Sequence, residues 1–231
     1  MFFEWFVVIS LFTFIVKNFY KYSRSFAFLF AKFADKSPTS SQLPEAQLKT
    51  WKTLSRTPIL HLGKFLSVEN HIVELPDGRI IDDWPWVITP DYANVVAVTP
   101  HNRFLVFRQV KYGVEGTSLA PVGGYLEPGE DPMLAAQREL REETGYAATQ
   151  WDALGCYRVD ANRGSGLAYF YLARGAQRVM ERDADDLEEQ VLYELTRPEI
   201  ELALLKGEFK VLAWMAIMSL ALQKLDALTQ A

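Results

Sequence analysis

GGYLEPGEDPMLAAQRELREETGY, residues 123–146, is the stretch on which the reading of this chain turns. Asp131 followed by Pro132 is an N-cap and first-turn pair, and Gly145 suits the left-handed position that ends a helix. Between them run good helix formers, so the spacing predicts a helix of about 13 residues. Glu139, Glu142 and Glu143 stand at i, i+3 and i+4 and share one face. Met133, Ala136 and Leu140 fall on another face, where they can pack against a sheet. A charged helix face is ordinarily solvated or paired, here with Arg138 and Arg141. The functional alternative is a hard-cation site, because carboxylate oxygens suit Mg2+ or Mn2+. Gly123, Gly124 and Gly129 let backbone and ligand approach closely ahead of the helix. Such sites pair carboxylates with substrate phosphates, which points to metal-assisted attack of water on a phosphoanhydride.

These residues resemble the Nudix box, G-x5-E-x7-R-E-U-x-E-E-x-G-U, with U a bulky apolar residue. Gly124, Glu130, Arg138, Glu139, Leu140, Glu142, Glu143 and Gly145 fill the pattern in order, and only Tyr146 departs from the aliphatic last position. The resemblance implies an α+β chain carrying the Nudix α/β/α sandwich, and cleavage of a nucleoside diphosphate linked to another moiety. It implies that Glu139, Glu142 and Glu143 bind metal, with Glu139 and Glu142 also counted as catalytic and the Gly123 carbonyl as a further ligand. Glu130 and Arg138 would tie the loop to the helix by an ion pair, with Gly124 and Gly145 as structural glycines.

The flanks are similar to the ADP-ribose pyrophosphatase branch, which has an N-terminal antiparallel β subdomain and forms homodimers that exchange it. The similarity runs from about Lys49 to Leu222. In that branch, aromatics sandwich adenine at positions matched here by Leu62–Phe65 and Asp82–Trp86. Phe65 and Trp84 are the corresponding choices, with core or interface aromatics as the alternative. Lys111 stands where an arginine commonly contacts phosphate, and it lacks the bidentate fork. The acidic run Asp183, Asp185, Asp186, Glu188, Glu189 precedes the last strand, and Glu188 matches the branch's catalytic loop acid. The alternative is a solvated acidic loop. Two departures bear on the second sugar. Ala120–Gly124 lacks the branch's glutamate and carries its proline one place early, and Val159–Gly166 replaces a Pro-Gly segment.

Around this core the chain is divided. The net charge is −5 over 231 residues, which argues against a nucleic-acid partner. A single cysteine, Cys156, excludes an intramolecular disulfide and a multi-cysteine metal site. It is expected as a small buried hydrophobe. Residues 1–34 hold 13 of the 31 aromatics, with Lys17, Lys21, Arg24 and Lys32 against Glu4. That leader is +3 and leaves the body at −8. Its uncharged run Trp5–Val16 is short: Met1 to Val16 as a helix covers roughly 24 Å of a ~30 Å hydrocarbon core. An N-terminal anchor with the body in the cytoplasm, an interfacial helix, and a mistaken start site are the readings left open.

Residues 35–48 read as a Pro/Ser linker, 49–90 as the β subdomain and 91–231 as the catalytic domain. Strands are expected over 59–66, 68–75, 79–87, 93–98, 104–107, 151–159, 167–172 and 191–195. Helices are expected over 198–205 and 211–228. The sequence thus predicts a Mg2+-dependent (or Mn2+-dependent) hydrolase of a nucleoside diphosphate sugar, ADP-ribose preferred. Hydrolysis of a dinucleotide or a different sugar nucleotide, and a Nudix-fold ligand sensor, stand as alternatives.

Overall fold

A computed structural model describes residues 48–182 and 189–230. The apolar leader over 1–34, nearly all of the 35–48 linker, and Glu188 lie outside the described residues.

The described chain opens with an antiparallel three-stranded sheet, β1 (Lys52–Leu62), β2 (Leu66–Glu74) and β3 (Ile80–Ile88), in that order. Two glycines make its turns. Gly63 takes φ 56° between β1 and β2, and Gly78 takes φ 86° after Pro76-Asp77, where Leu75 N–H donates to the Arg79 carbonyl at 2.8 Å. Positive φ is costly for residues with a Cβ, so these positions fix the hairpins. The first turn falls inside the strand expected over 59–66, and β1 instead begins seven residues earlier. β1 is exposed along its whole length, while His71 and Val73 of β2 are buried.

The larger sheet is mixed, in the order β12-β5-β4-β10-β9. Its members are β4 (Tyr92–Val98), β5 (Phe104–Val110), β9 (Gln150–Arg158), β10 (Leu167–Arg174) and β12 (Gln190–Leu195). β10 runs parallel to β4, and the other pairings are antiparallel. β4 and β5 pair only at Ala97–Val98 with Phe104–Leu105, and then part. The wedge between them is filled by two short strands the sequence did not disclose, β6 (Thr117–Ala120) on β5 and β7 (Val122–Tyr125) on β4. A further short pair joins β8 (Tyr146–Ala147) to β11 (Gln177–Arg178).

Helices cover both faces. Ala93, Val95 and Ala97 of β4 pack toward α1 (Pro132–Thr144) with its Ala135, Ala136 and Leu140. Val96 and Val98 pack toward α2 (Arg197–Leu205) and α3 (Leu212–Gln230), which supply Ile200, Ile217 and Met218. A central strand buried on two faces needs the continuous apolar run that β4 carries, rather than alternation. The result is an α/β/α sandwich with an N-terminal antiparallel β subdomain, as the sequence predicts. Cys156 differs from expectation: it lies exposed on β9, opposite Tyr169, because this edge strand turns most of its residues to solvent. Among the described residues, no helix is long and apolar enough to cross a membrane.

Candidate active site

α1 is fixed at both ends by its own sequence. The Asp131 carboxylate accepts from the N–H groups of Met133 and Leu134 at 2.9 and 3.1 Å, and Gly145 closes the helix in the left-handed region at φ 77°. A Cβ on Gly145 would stand 2.4 Å from the Met180 carbonyl, so the turn also admits the close approach of residue 180.

Arg138 organises the carboxylates. It forks onto Glu130, with Nε to Oε1 at 2.9 Å and Nη2 to Oε2 at 3.0 Å. Its Nη1 donates to Glu139 at 2.8 Å and to Glu142 at 3.0 Å, and Nη2 reaches the Tyr125 carbonyl at 3.2 Å. One guanidinium therefore joins the box loop to the helix and offsets part of the negative charge of three glutamates. These bonds hold the Arg138 guanidinium firmly protonated, the bond to Glu130 foremost. The same bonds hold the Glu130 carboxyl below the usual carboxylate range. Glu139 goes the other way: burial pushes its carboxyl up, and Arg138 offsets only part of this.

The glycines leave room for these carboxylates. A Cβ on Gly124 would lie 2.4 Å from Glu139 Oε1, and one on Gly123 would lie 2.2 Å from the Ala93 carbonyl. Gly123 N–H donates to Glu143 Oε2 at 3.0 Å, so β7 and α1 meet at this carboxylate. Beside Gly123, across the β4–β7 pair, Asn94 is 5% exposed and its Oδ1 is buried with no hydrogen-bond partner. The donor set is three carboxylates and a peptide carbonyl, all hard oxygens, and its chemistry suits Mg2+ or Mn2+. Among the described residues, no three His, Cys, Asp or Glu side chains converge into a ready metal cage. Glu139 and Glu142 turn toward Arg138 instead.

The remaining predicted residues fall in three places. Lys111 follows β5 at the end of the sheet that carries the box loop, with its carbonyl accepting from Val114 N–H at 2.9 Å. Phe65, at the β1–β2 turn, pairs with Tyr125 of the box loop at a ring separation of 6.1 Å, and Lys64 Nζ stands 5.1 Å from the Phe65 centroid. Phe65 and Tyr125 are both half exposed. Trp84 meets Trp51 edge-on at 5.1 Å and donates its indole N–H to the Asn162 carbonyl at 3.2 Å. The structure thus joins Glu130, Arg138, Glu139, Glu142, Glu143, Gly123 and Gly124, and sets Phe65 beside them. Sequence reasoning missed Tyr125, Asn94 and Asp91. Tyr125 occupies an unspecified box position, and Asn94 and Asp91 sit in a strand and a strand approach that read as core.

Sandwich, glycine turn and arginine-bound carboxylate helix together define the class: a hydrolase built on an α/β/α sandwich. The NUDIX domain family model matches residues 89–230. The chain is 30% identical over 145 residues to a methanol dehydrogenase activator of Bacillus methanolicus, covering 62% of this chain and 78% of that protein. It is 29% identical over 153 residues to an ADP-ribose pyrophosphatase of Bacillus subtilis (strain 168), covering 66% of this chain and 80% of that one. A crystal structure of an ADP compounds hydrolase superposes with a TM-score of 0.64 at 19% identity, covering 81% of this chain and all of that chain. The chain belongs to the NUDIX domain family and is a Nudix hydrolase. Nudix hydrolases generally use divalent metals.

Proposed function

We propose that the chain hydrolyses the pyrophosphate bond of a nucleoside diphosphate sugar, ADP-ribose preferred, to AMP and a sugar phosphate. The observation that carries the reading is the Arg138-organised carboxylate face set against Gly123 and Gly124. The similarity to an ADP-ribose pyrophosphatase supports the substrate. Glu139, Glu142, Glu143 and the Gly123 carbonyl would hold Mg2+, with Mn2+ as substitute. Bound there, the cation supplies neutralisation of charge developing on the phosphate oxygens. Glu188 takes the proton of the attacking water, and the bond from the attacked phosphorus to the leaving oxygen breaks. Lys111 meets a phosphate as a point charge. Phe65 and Trp84, one from each subunit of a dimer, would sandwich the base, and Tyr125 stands beside Phe65. The exposed apolar residues of β1 support a homodimer that covers this surface. The leader supports a membrane tether of a cytoplasmic body.

The test is release of AMP from a panel of ADP-ribose, other ADP-sugars and diadenosine diphosphate, with Mg2+ and with chelator. ADP-ribose should be cleaved with the highest kcat/KM. Glu142→Gln, which removes charge and keeps volume, should lower turnover by orders of magnitude with the fold intact. Full activity of Glu142→Gln, or turnover in chelator, would refute the assignment.

A further inference from the structure

The short segment between α2 and α3 is strapped onto the β5–β6 hairpin. Phe209 pins the segment by entering the core, where it is buried. On one side of it, the Glu208 carbonyl accepts from Leu119 N–H of β6 at 2.8 Å. On the other, Lys210 N–H donates to the hydroxyl of buried Ser118 at 3.0 Å, and that hydroxyl stands 3.1 Å from the Glu208 carbonyl. The Glu208 carboxylate accepts from Arg108 Nη2 of β5 at 2.6 Å, and Arg108 Nη1 reaches Thr117 Oγ1 at 3.4 Å. Both strands of the hairpin are thus tied to residues about 90 to 100 positions further along the chain.

The Lys210 side chain carries the strap past the strands and onto the loop that joins them. Its Nζ donates to the Glu115 carbonyl at 2.6 Å. Gly116 follows at φ 66°, where a Cβ would stand 3.7 Å from the same ammonium. At the other end of this loop the Lys111 carbonyl accepts from Val114 N–H at 2.9 Å. One turn and one ammonium therefore hold the backbone that bears Lys111. An exposed lysine bound to a peptide carbonyl adds little to the fold, because the unfolded chain solvates the same ammonium. What the bond fixes is the loop. Lys111 needs such fixing more than an arginine would. Its charge is compact and rides on a flexible four-carbon stem with no planar fork to orient it, so it is placed only as well as its backbone. The strap also grips β6 four residues before Gly123, the entry to the box loop.

We infer that Lys210 is a positioning residue: it clamps the 111–116 loop through the Glu115 carbonyl and so sets Lys111 against the substrate's phosphate. The inference rests on the nucleotide-sugar reading above for its substrate and for the role of Lys111. The probe is ADP-ribose with a methylene group in place of the bridging oxygen, which cannot be hydrolysed at that bond. Its dissociation constant is measured by calorimetry with Mg2+ for the full chain and for Lys111→Met, Lys210→Met, Lys210→Arg and the double methionine variant. Hydrogen exchange of the peptide spanning 110–117 is read by mass spectrometry on the same proteins. Lys111→Met, which removes a charge-assisted contact, should weaken binding by about 10- to 100-fold. Lys210→Met should weaken it by at least about threefold and speed exchange in that peptide, and in the double variant it should add no more than about twofold to the loss in Lys111→Met. Lys210→Arg keeps a donor and should restore both binding and exchange.

Unchanged exchange in Lys210→Met overturns the clamp. Weaker binding in Lys111→Met with unchanged binding in Lys210→Met overturns the inference and leaves the nucleotide-sugar reading standing. Additive losses in the double variant show Lys210 acting by another route than Lys111, and overturn it as well. A wild type that does not bind the probe refutes the nucleotide-sugar reading, and unchanged binding in Lys111→Met refutes the phosphate contact; in either case Lys210 has nothing to position and the inference falls with it.

Discussion

Glu130 and Glu139 bind the same guanidinium, and their charges act on stability with opposite signs. Arg138 reaches Glu130 through two donors, at 2.9 and 3.0 Å, and Glu127 N–H adds a third bond at 2.9 Å. The Glu130 carboxyl is thereby held below its ordinary value. Ionised Glu130 then stabilises the fold above the unfolded pKa of about 4.3, and the contribution fades as pH falls through the lower folded value. Glu139 is raised by burial, which outweighs its bond to Arg138. Its charge therefore weighs against the fold at neutral pH, and acid removes that cost as the group protonates. Glu130→Gln leaves one acceptor facing a two-pronged donor. Losing a charge-assisted bond costs about 1.5–3 kcal/mol. For a domain of about 150–250 residues this lowers Tm by roughly 3–12 °C.

Glu139→Gln keeps an acceptor for Arg138 and removes the buried charge, so its Tm should match or exceed wild type. Thermal and urea unfolding at pH 7 in chelator measure both variants. A fall in Glu139→Gln as large as that in Glu130→Gln would refute the reasoning. Excess Mg2+ should then reverse the order of wild type and Glu139→Gln. Wild type gains stability by binding the ion in the folded state alone, and the variant forfeits most of that gain.

Three further outcomes are expected. Glu188→Gln should cut kcat by ~10²–10⁴-fold, as loss of a general base does, with Mg2+ affinity less affected; steady-state kinetics across Mg2+ concentrations measures both, and an effect seen only in Glu189→Gln or Asp186→Asn would move the role to that residue. Sedimentation of residues 36–231 should show a dimer, because Leu54, Ile59, Leu60 and Leu62 of β1 stand exposed on a three-stranded sheet too small to form its own core; a monomer at micromolar concentration would refute it. The full-length chain should pellet with membranes and resist high-salt washing, since burial of apolar surface is not screened by salt; intact full-length protein in the soluble fraction would refute the anchor.

What could be read from the sequence was local. The caps of α1, its glutamate face and its apolar face depend on residues within about one or two turns, where spacing translates directly into geometry. The core strands β4, β5 and β10 announce themselves by apolar runs that only a doubly covered strand sustains. The hairpin at Gly63 was missed because the apolar residues on both sides of Gly63-Lys64 read as one strand, although that dipeptide interrupts the run. β6 and β7 escaped notice because four-residue strands around Pro121 exist only through their partners in the β4–β5 wedge.

The contacts that complete the site are the least local, and for that reason the least legible. The Glu130–Arg138 pair was legible, since Glu130 stands just ahead of the α1 N-cap and Arg138 lies eight residues on in that helix. Trp84 and Asn162 are 78 residues apart and meet only because β10 lies beside β4 in parallel register. The motif is legible because Glu139, Glu142 and Glu143 sit on one helix, where spacing alone sets their common face. The segments around the box loop come from strands the motif does not contain: Asp91, ahead of β4, takes the Leu126 N–H on its carbonyl and the Leu167 N–H on its carboxylate. Two chains can therefore share every specified position of the box and differ in what surrounds it, so the substrate is not to be read from the glutamates alone.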